Sequence, residues 1–224
     1  DWYEDGTSRE KVIQALKDLR NSLGNVPLLF TFRGKQEGGE RELDAKEYLE
    51  LTLQAAVSGT VDLVDLELFT GLKAGRELFI DVIRRIKQQG VTIIMSSHDF
   101  SKIPDSKELL LRFEQMEELG ADLLKEAVMP QNPEDVARLL SVTEAASRMR
   151  KRPLITMAMG GLGLIRGNLW ILYNLWKRRN AVCSWADGRS LFKSHTGCGP
   201  SGHESGKGKT AAFLSVFDWL YGNR

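Results

Sequence analysis

Five short apolar runs punctuate the chain: 26–32 (VPLLFTF), 61–68 (VDLVDLEL), 91–96 (VTIIMS), 121–129 (ADLLKEAVM) and 153–159 (PLITMAM). Their length and β-rich composition predict strands. Between them, 45–56, 75–89, 106–119 and 132–150 carry apolar residues at helical spacing, which predicts amphipathic helices. One strand plus one helix in about 30 residues is a βα unit, and its repetition implies parallel strands joined by right-handed crossovers. Gly90 and Gly120 stand where two helices should stop, and Pro130 and Pro133 bracket the turn into another.

Two architectures are built from such units. A doubly wound sheet would carry a G-x-G-x-x-G turn after a strand, and none follows any of these runs. Polar residues gather instead at the carboxyl ends of several strands, as they do in a (β/α)₈ barrel. The expected fold is therefore α/β, an incomplete TIM barrel with about five of its eight strands recognisable. The chain has 224 residues, slightly fewer than the roughly 250 of a typical barrel. Asp1 opens directly on a helix-like pattern, so the barrel is expected to begin before it.

Composition narrows the function. Thirty-one Lys and Arg against thirty Asp and Glu leave a net charge of +1, which provides no field to recruit nucleic acid or an anionic membrane. No apolar run approaches the ~20 residues that span a bilayer. Cys183 and Cys198 are the only cysteines, too few for a disulfide framework and consistent with a reducing compartment. The expectation is a cytoplasmic protein acting on a small molecule.

Lys125 lies inside an apolar strand, in register with Leu123, Ala127 and Met129, while Leu124, Glu126 and Val128 point the other way. One of these faces must line the barrel. The plain reading is an ammonium snorkelling to water from a strand end. The chemical reading is a desolvated amine that attacks a carbonyl to form an imine. His98, at the carboxyl end of the neighbouring strand in MSSHDF, becomes a candidate general acid and base beside such a lysine. Arg33 closes its own strand and is followed by EGGE, with Glu37 and Glu40. Arg33 could clamp a substrate carboxylate, and a carboxylate beside His98 would fix its tautomer; a solvated charged loop is the competing reading.

The strings PLLFTFR with EGGE, VDLVDLELFTG, MSSHDF, GADLLKEAVMPQ and PLITMAMG, in that order across about residues 1–165, resemble type I 3-dehydroquinate dehydratase. The resemblance implies a class I aldolase-like barrel that dehydrates 3-dehydroquinate to 3-dehydroshikimate in the shikimate pathway, with no metal or organic cofactor. It puts the Schiff-base lysine at Lys125 and the acid–base histidine at His98, has Glu37 orient His98 and Arg33 hold substrate, and makes Met157 and Met159 the pocket floor. Asp99 reads as a turn carboxylate. Glu126 departs from the family pattern, which has an apolar residue there; a carboxylate at that position needs hydrogen bonds or partial solvation and could disturb the strand. A catalytically impaired fragment and a different Schiff-base aldolase are the rival readings, and the oligomeric state, a homodimer included, is left open.

After about residue 165 the pattern breaks. Residues 166–224 hold four of the five Trp and the Gly-rich run SHTGCGPSGHESGKGKT, and by composition read as a tail with little regular structure. Codons for GNLWILYNLW, read one base later, permit E-(I/T)-F-G-S-C-(I/T)-T-F-G, and those for 182–187 permit S-A-P-G-Q. Both resemble the family's missing strings, so the expected domains are a barrel portion at 1–165 and an out-of-frame or disordered tail at 166–224. The same shift near the end suggests a shikimate kinase fused to the parent gene or neighbouring it. Arg166 stands either for a substrate-binding arginine of the family or for the first accidental residue. Gly208, Lys209 and Thr210 mimic a phosphate loop, but His203 stands where it needs Gly. Cys183, His195, Cys198 and His203 match no compact zinc spacing.

Overall fold

A computed structural model describes residues 8–163 and the main chain of 181–186 and 189–194. The first helix, α1 (Arg9–Leu23), leads into β1 (Leu29–Thr31), α2 (Ala45–Val57) and β2 (Leu63–Glu67). There follow α3 (Leu68–Lys73), α4 (Arg76–Gln88), β3 (Thr92–Asp99), α5 (Ser106–Glu118), β4 (Leu123–Val128), α6 (Pro133–Met149) and β5 (Leu154–Ala158). Among the described residues, strands β6 (Ala181–Ala186) and β7 (Arg189–Ser194) pair only with one another, antiparallel.

All five predicted strands form, and they pair in parallel in the order β1-β2-β3-β4-β5. An unbroken sequential order is barrel winding; a doubly wound sheet reverses direction at its switch point. Local signals set the helix limits. Asp44, Asp105 and Asn132 each accept a first-turn N–H at 2.9 Å, which satisfies donors the helix itself leaves free.

Helix α3 was not anticipated. The run 61–68 reads as strand to its end, yet the ladder stops at Glu67, whose N–H goes to the Tyr48 hydroxyl at 2.8 Å. No helix among the described residues is long and apolar enough to cross a membrane.

The sheet has two unlike faces. Val64, Leu66, Ile93, Met95, Leu124 and Leu154 are buried on the face toward the helices. Thr156 belongs to that face too, and receives the Thr143 hydroxyl of α6 at 3.0 Å. Residues one position along each strand, including Lys125, point to the inner face of the curved sheet.

Glu126 lies on the helix side, 0% exposed, and the expectation for it needs correcting. It is neither solvated nor a disturbance to β4, because Arg112 of α5 brings a guanidinium to 3.5 Å. Burial pushes its carboxyl up to about 8, the Arg112 charge offsetting only part. A carboxyl raised in the folded state above its unfolded value of about 4.3 stabilises fully below that value and loses the contribution as pH climbs toward 8. Thermal unfolding midpoints should therefore fall between pH 5 and 8, and Glu126→Gln should flatten part of that slope. A midpoint rising over this interval would contradict the burial argument.

Candidate active site

Strand register lays out the inner face in rows. Asp65, Ile94 and Leu123 form one row; Glu67, Ser96, Lys125 and Ile155 the next; His98, Ala127 and Met157 a third. Alternate residues share a face, so Lys125 and His98, one row apart on adjacent strands, lie on the same side as Asp65 and Glu67. After β1 the chain makes a single 3₁₀ turn, Lys35–Glu37, which brings Glu37 over the same face.

Asp65 is the hub. Its Oδ2 accepts from Lys125 Nζ and from Arg33 Nη2, each at 3.1 Å, and its Oδ1 accepts from the Ser96 hydroxyl. Burial alone would raise this carboxyl; the charges of Lys125 and Arg33 reverse that and hold it well below the usual carboxylate range.

Arg33 Nη1 also donates to Glu67 at 3.0 Å, Glu37 at 3.2 Å and Ser96 at 3.3 Å. Its Nε alone lacks a partner. A bidentate grip on a substrate carboxylate therefore requires Arg33 to exchange one of these contacts. Glu67 is further fixed by the Gly34 N–H at 2.8 Å and the Thr70 hydroxyl at 2.6 Å.

Charge matching explains the remaining pair. The two cations, Arg33 and Lys125, are balanced by two anions, Asp65 and Glu67, which leaves Glu37 as a third carboxyl in a buried site. Burial first, then the Glu67 charge, push Glu37 up to about 9. His98 Nδ1 lies 2.8 Å from Glu37 Oε2. Burial, reinforced by the Arg33 and Lys125 charges, lowers the histidine well below its ordinary value. The ring is thus neutral near pH 7. Its Nδ1 is committed to Glu37, and Nε2 has no hydrogen-bond partner among the described residues.

The EGGE turn tolerates no added bulk. A Cβ on Gly39 would fall 1.8 Å from the Arg33 carbonyl oxygen, and one on Gly38, where φ is +89°, 2.4 Å from the Phe100 ring. Relief at Gly39 means moving backbone, and with it Glu37. Gly39→Ala should cost ~1–3 kcal/mol of stability, as overpacked sites do, and should loosen the Glu37–His98 contact. A thermal midpoint equal to the native value would show that the turn has room.

The structure thus brings together Lys125, His98, Glu37 and Arg33. Met157 falls in the row of His98, and Met159 continues the ladder with its N–H to the Val128 carbonyl at 2.8 Å. Asp99 is spent on its turn, accepting from Ser101 N at 2.9 Å and Lys102 N at 3.1 Å. Glu40 is exposed. Arg166 lies outside the described residues, as do the side chains of Cys183, His195, Cys198, His203 and 208–210.

Sequence reasoning missed Asp65, Glu67, Ser96 and Tyr48. Two carboxylates two residues apart in the apolar run 61–68 were a usable signal, of the same kind that singles out Lys125. Tyr48 sits on a helix and gave none.

A family model described as type I 3-dehydroquinase matches residues 1–169. The chain belongs to that family. A 3-dehydroquinate dehydratase of Syntrophotalea carbinolica is 46% identical over 164 residues, covering 73% of this chain and 63% of the relative. The chain thus spans just under two thirds of the length of that relative. A crystal structure of type I 3-dehydroquinate dehydratase from Clostridium difficile, with covalently modified comenic acid, superposes with a TM-score of 0.68 at 41% identity, covering 73% of this chain and 64% of that one. A Schizosaccharomyces pombe structure described as dehydroquinate dehydratase and shikimate dehydrogenase has a TM-score of 0.61 at 28% identity, over 71% of this chain and 30% of that one. The five-stranded sheet is accordingly a (β/α)₈-barrel sheet of the type I dehydroquinase kind.

Proposed function

We propose that the chain carries the imine-forming and proton-transferring groups of a 3-dehydroquinate dehydratase. The observation that carries this reading is the placement of Lys125 one row from His98 on a common face, with Glu37 at 2.8 Å from the histidine. Lys125 gives up a proton and adds to the substrate ketone, and that proton passes to the carbinolamine hydroxyl, which leaves as water, giving a protonated imine. That cation would lie against Asp65, already in contact with Nζ, and an ionised carboxylate beside it favours its formation.

The protonated imine is an electron sink that acidifies the neighbouring C–H, so a neutral imidazole suffices to take the proton. His98 accepts through Nε2, and the positive charge spreads toward Glu37. The enamine then expels the β-hydroxyl, which leaves as water with the proton returned by His98. Hydrolysis of the conjugated imine releases 3-dehydroshikimate and restores Lys125. For Nε2 to act as a base, Nδ1 must hold a hydrogen and Glu37 must accept it. A cationic imine nearby helps to ionise Glu37 against its burial. Arg33, Met157, Met159 and Arg166 complete the proposed substrate contacts.

Borohydride treatment in the presence of 3-dehydroquinate, followed by peptide mapping, tests the reading. A reduced adduct on Lys125 is expected. Folded chain that yields no adduct would sink it.

A cytoplasmic setting and a homodimer go with this reading. So do a barrel portion at 1–165, an out-of-frame origin for 166–224 and a shikimate kinase fused to the parent gene or neighbouring it. The gene's nucleotide sequence decides the tail: no single-base shift restoring the two family-like strings means that this part fails.

A further inference from the structure

We propose that Arg112 and Glu126 are positioning residues that hold β3 and β4 in the register required by His98 and Lys125. The inference rests on the reading of those two as the reacting pair.

Ser97 and Glu126 are Cα partners across β3 and β4. They lie between the pair Ser96–Lys125 and the pair His98–Ala127 in the ladder, with their side chains on the helix side. Arg112 crosses from α5 to both: Nη1 donates to Ser97 Oγ at 3.1 Å and stands 3.5 Å from Glu126 Oε2. Its other end is held by Glu108 on the same helix, and its guanidinium lies 5.0 Å from the centre of the Phe69 ring of α3. One side chain thus ties two strands and two helices together at the rung between Lys125 and His98.

Stability alone does not account for this arrangement. Burying a guanidinium and a carboxyl group is costly unless every polar atom is matched. Here both Glu126 oxygens and Arg112 Nε lack a partner in hydrogen-bonding geometry. Apolar side chains of similar size would fill the space at no such cost. What they lack is directionality: a hydrocarbon contact tolerates sliding, whereas a hydrogen bond to Ser97 and a polar contact with the Glu126 carboxyl fix the height of each strand against α5. A shift of ~1 Å between reacting groups can cost on the order of 100-fold in rate.

The test is the double variant Arg112→Met with Glu126→Leu, which replaces both polar ends of the contact by apolar side chains of similar size. We expect folded protein with a thermal midpoint at or above the native one. Adduct formation on Lys125 should slow ~10-fold, with kcat falling and KM nearly constant, and the ring ¹⁵N shifts of His98 should move. A folded double variant with native His98 shifts and native adduct rate overturns the inference.

The ring shifts need no substrate. If native protein forms no adduct, the dehydratase reading fails while the shifts still decide whether the pair positions His98. If the double variant does not fold, Ser97→Ala, which removes the hydrogen bond that ties Arg112 to β3, is read the same way. Native shifts in that variant likewise overturn the inference.

Discussion

Lys125→Ala should yield no borohydride-trappable adduct with 3-dehydroquinate and should lower turnover by about 10⁴-fold or more, the scale on which loss of a nucleophile acts. No other lysine can substitute: among the described residues Lys125 is the one in the polar cluster of the inner face, where Asp65 holds its Nζ at 3.1 Å. The variant should still fold. Asp65 loses one partner but keeps Arg33 at 3.1 Å and the Ser96 hydroxyl, so the buried carboxylate is not left unpaired, which is the situation that costs 3–5 kcal/mol. Native-like circular dichroism with no adduct is the expected pair of results. An adduct mapped to any other lysine would move the nucleophile elsewhere.

His98→Ala should separate the two halves of the chemistry. Imine formation needs the amine and the ketone, so the adduct should persist. Proton removal and return both need the ring, so turnover should fall by about 10²–10⁴-fold, the usual worth of a positioned acid–base group. The trapped fraction should rise, because the imine forms and has nowhere to go. Native turnover in this variant would show that another group moves the proton. Glu37, 2.8 Å from the ring in the native protein, loses its nitrogen partner here but keeps Arg33 at 3.2 Å, so the fold should tolerate the change.

The two variants bear on different parts of one charge arrangement. Arg33 and Lys125 match Asp65 and Glu67, and that balance leaves Glu37, at about 9, and a depressed His98 as an uncharged pair near pH 7. Removing Lys125 upsets the balance, whereas removing His98 does not. Lys125→Ala should therefore alter the titration of His98 as well as abolish the imine, a coupling visible in the histidine ring resonances.

The sequence by itself determined the five strands, the helices between them other than α3 and the parallel barrel winding, because apolar periodicity and turn residues are local properties. It also determined Lys125 and His98 as candidates, since a charged residue in an apolar strand and a histidine at a strand end are conspicuous in one dimension; Glu37 was singled out from Glu40 only by the family resemblance. Which face of β4 is the inner one was undecidable from alternation alone. Only the packing of Arg112 against Glu126, and of Thr143 against Thr156, turned Lys125 inward. The Asp65 hub, the engagement of Arg33 by Asp65, Glu67 and Ser96 and the end of β2 at Tyr48 likewise depend on residues brought from 17 to 63 positions away. Contacts of that range are set by how strands register and helices pack, and no local pattern encodes them.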